Sequence, residues 1–338
     1  MKRLVYKIGV ALAGLSAMFR GLLRRARHGP TLPSWTLSEE LLVAVSRATA
    51  TASARNIEFM APRRSGLRVP LNAASRAELI VEAVDLDGVR AERYCPQSPS
   101  GTILYFHGGG FVSGGVGLER RPAAANAIAS NCDTFSIEYR LAPMHPYPAA
   151  LDDAIAAYKA VLERGADPAT IVLFGASAGA CLALSSLLKF RDLGLPQPAG
   201  AVLLWPYADF TFSGETIRSK GDLDMLPVRD LAHVWGPAYV GDADPSDPLV
   251  SPALADLCGL PPLLILAGGA ESLLSCAERI AANARRDGVP AQLNVFPEKV
   301  HGWMMLPKLD ATLHAIEKIN GWIAERISHV PDPRPQPD

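Results

Sequence analysis

Cysteine is sparse in this chain and never paired in spacing. The five residues, at 95, 132, 181, 258 and 276, are odd in number, widely separated and form no C-x-x-C pair. Neither a disulfide framework nor a zinc site follows from such a pattern, and reduced thiols in a cytoplasmic protein are the expectation. Cys181 and Cys276 stand in apolar helical stretches and read as small core residues. An excess of either charge is also missing: 33 Lys+Arg face 34 Asp+Glu, for a net charge of -1. No cationic surplus exists to neutralise phosphates, so nucleic acid is not an expected partner. Low hydrophobicity, the mark of a disordered chain, is absent as well, with 49% hydrophobic and 20% charged residues. No internal repeat is visible. What is present is length: 338 residues allow a sizeable core in one large α/β domain or two ordinary ones.

The balanced charge hides a division. Residues 1–29 hold seven basic residues (Lys2, Arg3, Lys7, Arg20, Arg24, Arg25, Arg27) and no Asp or Glu, leaving 26 basic against 34 acidic residues elsewhere. Within this segment 8–19 is an uncharged run of 12 residues, short of the roughly 20 apolar residues that span a bilayer. A signal peptide has a similar apolar region after a basic start. Here, however, Ala11-Leu12-Ala13 comes too early for cleavage, and arginines follow where a mature chain would begin. Besides a cleaved signal, two roles are open. One is a helix packed on the protein's own surface or cap; the other is an interfacial helix giving peripheral membrane contact. Gly9, Gly14 and Gly21 weaken any long isolated helix here.

From about residue 80, short β-rich runs alternate with helical ones, the pattern of a mostly parallel sheet flanked by helices. Strands are predicted at 79–86, 103–107, 134–139, 171–175, 201–206, 263–268 and 292–297. Helices are predicted at 119–130, 148–164, 178–193, 272–287 and 308–327. Two segments break the alternation. Residues 1–75 are helical without clear strands, and 210–250 interrupts a βα unit with Gly, Asp and Pro. Distant in sequence, the two can meet as a lid over the strands' carboxyl ends, where open α/β sheets bind ligands. Residues 331–338 are too proline-rich for helix or strand and read as a disordered, solvated tail.

Gly175-Ala176-Ser177-Ala178-Gly179 is the sharpest local signal. A bare G-x-S-x-G is weak evidence, but IVLF precedes this one as a strand and ACLALSSLLKF follows as a helix. That strand–turn–helix is what a nucleophile elbow requires. The glycines permit the tight turn, and the helix N-terminus points free N–H groups at the same place. Ser177 needs a base to take its proton. In this architecture the chain order is Ser, then Asp or Glu, then His, so the base belongs after the last strand. His301, in Val300-His301-Gly302-Trp303, fills that slot. His314 and His329 lie on or after the last helix, while His28, His145 and His233 precede the expected acid.

The acid belongs just beyond the strand LLILAGG, where Glu271 is the first carboxylate. From there it can hold the imidazole tautomer and stabilise the imidazolium. Glu298, on the histidine's own loop, and Glu278, a helical turn further on, are competitors; Asp247 and Asp256 precede the strand. His107-Gly108-Gly109-Gly110 follows ILYF, and its successive glycines leave N–H groups uncovered by Cβ atoms, able to aim at an oxyanion. A flexible glycine turn is the plain alternative. The dinucleotide fingerprint fails in register, because Ser113 stands where its third glycine belongs. His107 itself reads as an anchor of the loop rather than a base.

Together HGGGF (107–111), EYRLAP (138–143), HPYPAALDDA (145–154), GASAG (175–179), DPLVSP (247–252) and VHGW (300–303) carry a resemblance. They are similar to the motifs of the hormone-sensitive-lipase-like (bacterial family IV) carboxylesterases of the α/β-hydrolase superfamily. The match covers roughly residues 85–325, in order and with natural spacing. It implies an α/β-hydrolase core at 76–330 under a helical cap, built from residues 1–75 and an insertion at about 210–246. It also implies a serine carboxylesterase acting on short- to medium-chain esters through an acyl-enzyme, with no cofactor and no metal. Matched motif by motif, Ser177 is the nucleophile, Glu271 the acid and His301 the base. The N–H groups of Gly109, Gly110 and Ala178 form the oxyanion hole. A homodimer through the last strand is a further expectation of the resemblance.

There are departures from the family pattern. Its acid is usually Asp, and Glu271 is one methylene longer. Ala176 stands where Asp or Thr is common, Met144 where Glu is usual, and Glu138 where Asp is common. Two other functions fit the same frame. One is an amidase or arylformamidase, since function lives in the site rather than the fold. The other is a non-catalytic protein binding a small ligand, a class that loses the catalytic histidine, whereas His301 is present. Trp205, Tyr207, Phe210, Phe212, Trp235 and Trp303 are candidates to line the pocket or to fill the core.

Overall fold

The computed structural model describes residues 2–54 and 68–328. The tail at 331–338 and part of the segment 1–75 lie outside the described residues. Eight strands form one sheet: β1 (Ile80–Leu86), β2 (Val89–Cys95), β3 (Gly101–Phe106), β4 (Cys132–Ile137), β5 (Ile171–Ala176), β6 (Gly200–Leu204), β7 (Leu263–Gly268) and β8 (Ala291–Phe296). Their spatial order is β1-β2-β4-β3-β5-β6-β7-β8. β2 pairs antiparallel with both β1 and β4, and every other pair is parallel.

The helices ahead of the sheet are α1 (Lys2–His28), α2 (Leu37–Ala54) and α3 (Ala73–Glu78). Those among the strands are α4 (Arg120–Ser130), α5 (Ala149–Glu163), α6 (Ala178–Asp192) and α10 (Leu274–Arg286), with α11 (Asp310–Ser328) closing the chain. Three short helices, α7 (Thr216–Ser219), α8 (Val228–Ala232) and α9 (Trp235–Val240), interrupt the irregular stretch between β6 and β7.

β5, β6 and β7 are apolar and buried at every position, as central parallel strands covered on both faces must be. Their side chains alternate between two cores. Leu173, Leu203 and Ile265 join residues of α5, α6 and α10 on one face. Val172, Val202 and Leu264 join residues of α4 and α11 on the other.

One element differs from the sequence reading. β2 was not among the predicted strands, because Arg90, Glu92 and Arg93 give it the look of surface. Glu92 is nonetheless buried. Its carboxylate accepts from the Arg120 guanidinium and the Tyr94 hydroxyl and pairs with Arg68. Asp87 and Gly88, with φ of 54° and 81°, close the β1–β2 hairpin.

The expected N-terminal helix is present as α1, one helix of 27 residues that runs through all three of its glycines. Gly14 and Gly21 face α2: a Cβ at Gly14 would lie 3.2 Å from Thr49 Cγ2, and one at Gly21 3.4 Å from Ala44 Cβ. The helix is therefore held by close packing on α2, which outweighs the propensity cost of glycine.

Candidate active site

Ser177 joins β5 to α6 with φ 56° and ψ −115°, a backbone region that non-glycine residues avoid. Its neighbours hold it there. The Ser177 N–H donates to the Leu204 carbonyl at 2.9 Å, and the Tyr207 N–H donates to the Ser177 carbonyl at 3.2 Å. Gly179 makes the approach possible, since a Cβ there would lie 2.0 Å from the Phe106 carbonyl oxygen. The serine side chain is thereby presented at the carboxyl end of β5.

The loop after β8 brings His301 to it. His301 Nε2 lies 2.9 Å from Ser177 Oγ, and both residues are buried. Burial alone pushes the imidazole pKa down to about 3, so the ring is neutral near pH 7 and able to accept a proton. The Trp205 ring meets it edge-on, with centroids 6.1 Å apart.

Glu271, directly after β7, lies with Oε2 3.9 Å from His301 Nδ1. That is beyond a hydrogen bond but within ion-pair range, and catalytic contacts are commonly long in a free enzyme. The competitors are occupied or remote. Glu298 accepts from the Ser34 N–H at 2.8 Å, and Glu278 is exposed on α10. Asp247 and Asp256 accept from the N–H groups of Leu249 at 2.7 Å and Cys258 at 2.8 Å.

A second buried carboxylate went unread in the sequence. Asp224, from the irregular stretch between α7 and α8, is fully buried beside Glu271. Its Oδ1 accepts from the His301 N–H at 2.9 Å and its Oδ2 from the Ser272 N–H at 2.7 Å. Burial pushes its pKa up to about 6 against the pull of those two bonds. Glu271 is raised well above the ordinary carboxyl range, first by burial and then by the Asp224 charge, with Lys220 opposing. No motif marks Asp224; the available signal was a carboxylate in a segment that failed to fit the alternation.

The same stretch grips the Glu271 loop elsewhere. Thr216 Oγ1 donates to the Ser272 carbonyl at 2.7 Å and accepts from the Ser275 N–H at 3.0 Å, and Lys220 Nζ donates to the Gly269 carbonyl. The N-terminal helices hold the outer side. Trp35 Nε1 donates to the Glu298 carbonyl at 2.6 Å, and Lys299 pairs with Glu39 at 2.5 Å.

The glycine loop 108–110 lies against Ser177: a Cβ at Gly108 would be 3.6 Å from the serine Cβ. Gly110 has φ +63°, and a Cβ there would fall 2.4 Å from the Trp235 ring. Among the described residues nothing accepts from the N–H groups of Gly109, Gly110 or Ala178. His107 anchors the loop: its ring stacks on Tyr139 at 4.2 Å, and its carbonyl accepts from the Tyr139 hydroxyl at 2.6 Å. Phe111 stacks on Tyr239 at 3.7 Å, with Phe210 4.8 Å from Tyr239. Trp303 is core, packed against Phe296 and Trp205.

A buried serine beside a neutral imidazole, backed by a carboxylate and faced by free N–H groups, is equipped for acyl transfer. A family model of the α/β-hydrolase fold matches residues 103–305. An acetyl-hydrolase of Streptomyces hygroscopicus is 39% identical over 204 residues, 60% of this chain and 68% of that protein. A carboxylic ester hydrolase of Mycobacterium tuberculosis is 30% identical over 290 residues, 80% of this chain and 77% of its own. Among solved structures, a homologue of hormone-sensitive lipase from a metagenome library superposes with TM-score 0.76 at 35% identity, covering 86% of this chain and 97% of that one.

The chain is a hormone-sensitive-lipase-like carboxylesterase of the α/β-hydrolase superfamily. An esterase from the bacterial branch of that family gives TM-score 0.72 at 31% identity over 93% of this chain and 98% of its own. At the positions where this esterase departs from its family, Glu138 accepts from the Val116 N–H at 2.8 Å, and Met144 is exposed.

Proposed function

We propose that this esterase hydrolyses short- to medium-chain carboxylic esters through Ser177, His301 and Glu271, by way of an acyl-enzyme. The observation that carries the reading is the 2.9 Å contact between His301 Nε2 and Ser177 Oγ at a strained strand–helix turn. Ser177 Oγ attacks the ester carbonyl carbon as its proton passes to Nε2, and the N–H groups of Gly109, Gly110 and Ala178 receive the oxyanion. Collapse expels the alcohol, which takes the proton from Nε2. Water then attacks the acyl carbon, with His301 as base, and the acid leaves as Ser177 is reprotonated. Ionised Glu271 holds Nδ1–H through both steps. The likeness to an acetyl-hydrolase supports the short end of the acyl range.

Turnover of p-nitrophenyl esters from acetate to laurate by wild type and Ser177→Ala tests the reading. The alanine variant is expected to lose activity on every ester. Unchanged hydrolysis by that variant overturns the mechanism, and activity on amides alone makes the protein an amidase on the same frame.

The partner surface belongs to the same proposal. α1 buries Tyr6, Ala17, Gly14 and Gly21, the two glycines against α2, while Ile8, Leu12, Leu15, Phe19 and Leu22 are exposed on the opposite face. Exposed Lys7, Arg20 and Arg27 flank that face, and α1 contains no carboxylate. By length and composition the helix is able to cross a bilayer; packing along one side favours lying in the surface of an anionic membrane instead. Basic residues near such a surface contribute about 1 kcal/mol each. Sedimentation with phosphatidylglycerol vesicles is expected for the full chain and lost without residues 1–29. Equal sedimentation of the shortened chain overturns this assignment.

A further inference from the structure

We propose that Asp224 is a positioning residue of the active site, coupling the stretch between β6 and β7 to both loops that carry the acid and the base. The inference rests on the esterase reading above and goes beyond it by adding a group that touches no substrate.

The geometry is specific. One carboxylate spans two loops of different origin, taking the N–H of His301 itself and the N–H of Ser272, next to Glu271. Both loops are also tied to each other, with the Ala270 N–H donating to the Lys299 carbonyl at 2.8 Å. Asp224 therefore fixes the backbone under the imidazole and under the acid at once. A displacement of about 1 Å in such a constellation costs on the order of 100-fold in rate. A merely space-filling residue would not need two oxygens aimed at two N–H donors, and an unpaired buried carboxylate is costly enough to be rare.

Charge adds a second effect. Glu271 is faced by Asp224 and Lys220 from this stretch and by His301 from the loop after β8. Two carboxylates this close resist double ionisation, so the pair holds a proton to higher pH than either would alone. The working form needs Glu271 ionised, with Nδ1–H toward it. Esterase activity thus rises with pH as that proton leaves, and removing the Asp224 charge moves the rise to lower pH.

The experiment compares Asp224→Asn and Asp224→Ala with wild type in p-nitrophenyl butyrate hydrolysis across pH, with circular dichroism as a check on folding. Asn retains one acceptor and loses the charge; Ala loses both. The expected result is kcat lower by about 10-fold for Asn and about 100-fold for Ala, with KM within about twofold. The ascending pH limb is expected to shift to lower pH in Asp224→Asn. His301 imidazole ¹⁵N shifts, read without substrate, are expected to titrate at lower pH in that variant too. Folded variants with wild-type kcat, an unmoved limb and unchanged ¹⁵N titration overturn the proposal. So does a loss of kcat that follows only lost stability while the limb stays put. Failure of the esterase reading shows itself separately, as activity surviving Ser177→Ala, and the ¹⁵N titration still decides the role of Asp224.

Discussion

Gly110 shows how little latitude single residues have around Ser177. Its left-handed φ of +63° and the Trp235 ring 2.4 Å from any added Cβ leave space for nothing but hydrogen. Gly110→Ala is expected to turn the loop and misaim one oxyanion donor, lowering kcat by about 100-fold; steady-state kinetics on a variant with unchanged circular dichroism checks this. Glu271→Ala is expected to reduce kcat by orders of magnitude with little change in KM, whereas Glu298→Ala, whose carboxylate serves Ser34, leaves turnover near wild type. The reverse pattern would move the acid to Glu298.

Acid stability carries a signature of His301. The ring's pKa falls from 6.5 to about 3 on burial, so between those values the unfolded chain holds a proton that the folded chain refuses. Stability is therefore lost as pH falls through that window. Asp224, raised from 3.8 to about 6, works in the opposite sense over part of it. His301→Gln, which cannot charge, is expected to shift the acid-unfolding midpoint, followed by tryptophan fluorescence, to lower pH. An upward shift would show that the imidazole is not held neutral by burial.

At the scale of elements, the sheet was legible wherever its strands are uniformly apolar, and illegible at β2, where burial is bought with ion pairs. Glu92→Ala leaves the mostly buried Arg120 without its partner and is expected to cost about 3 kcal/mol, readable as a fall in the urea midpoint. The glycines that would weaken α1 in isolation cost it little here, because Gly14 and Gly21 are where it packs on α2. Gly14→Leu, pressed against Thr49 and Val45, is expected to loosen α1 by about 1–3 kcal/mol, seen as faster hydrogen exchange in α1 and α2. For the proposed site, chain order and strand ends single out Ser177, Glu271 and His301, which the fold brings within 2.9 Å (Ser177–His301) and 3.9 Å (Glu271–His301) of one another. Asp224 escapes such reading because its partner lies 77 positions away, brought near by the chain's return over the sheet and by no local pattern.

In the whole molecule these contacts form one continuous chain of support. α1 packs on α2, and Arg47 of α2 donates to the Asp224 carbonyl at 3.0 Å. The Asp224 side chain then holds the loops bearing His301 and Glu271. Arg47→Met is expected to lower kcat several-fold at unchanged KM while making 214–226 more susceptible to limited proteolysis; intact kinetics with unaltered cleavage would remove Arg47 from this chain of support.

The uneven charge of the polypeptide has a preparative consequence as well. The full chain is nearly neutral, with pI ≈ 6.7. Proteolytic trimming of residues 1–29 strips seven cations and no anions, leaving 26 basic residues against 34 acidic ones. At neutral pH the intact protein is expected to be weakly retained on an anion exchanger, and the trimmed form to elute later in the salt gradient. Retention time on such a column thus reports whether a given batch of enzyme still carries its first helix.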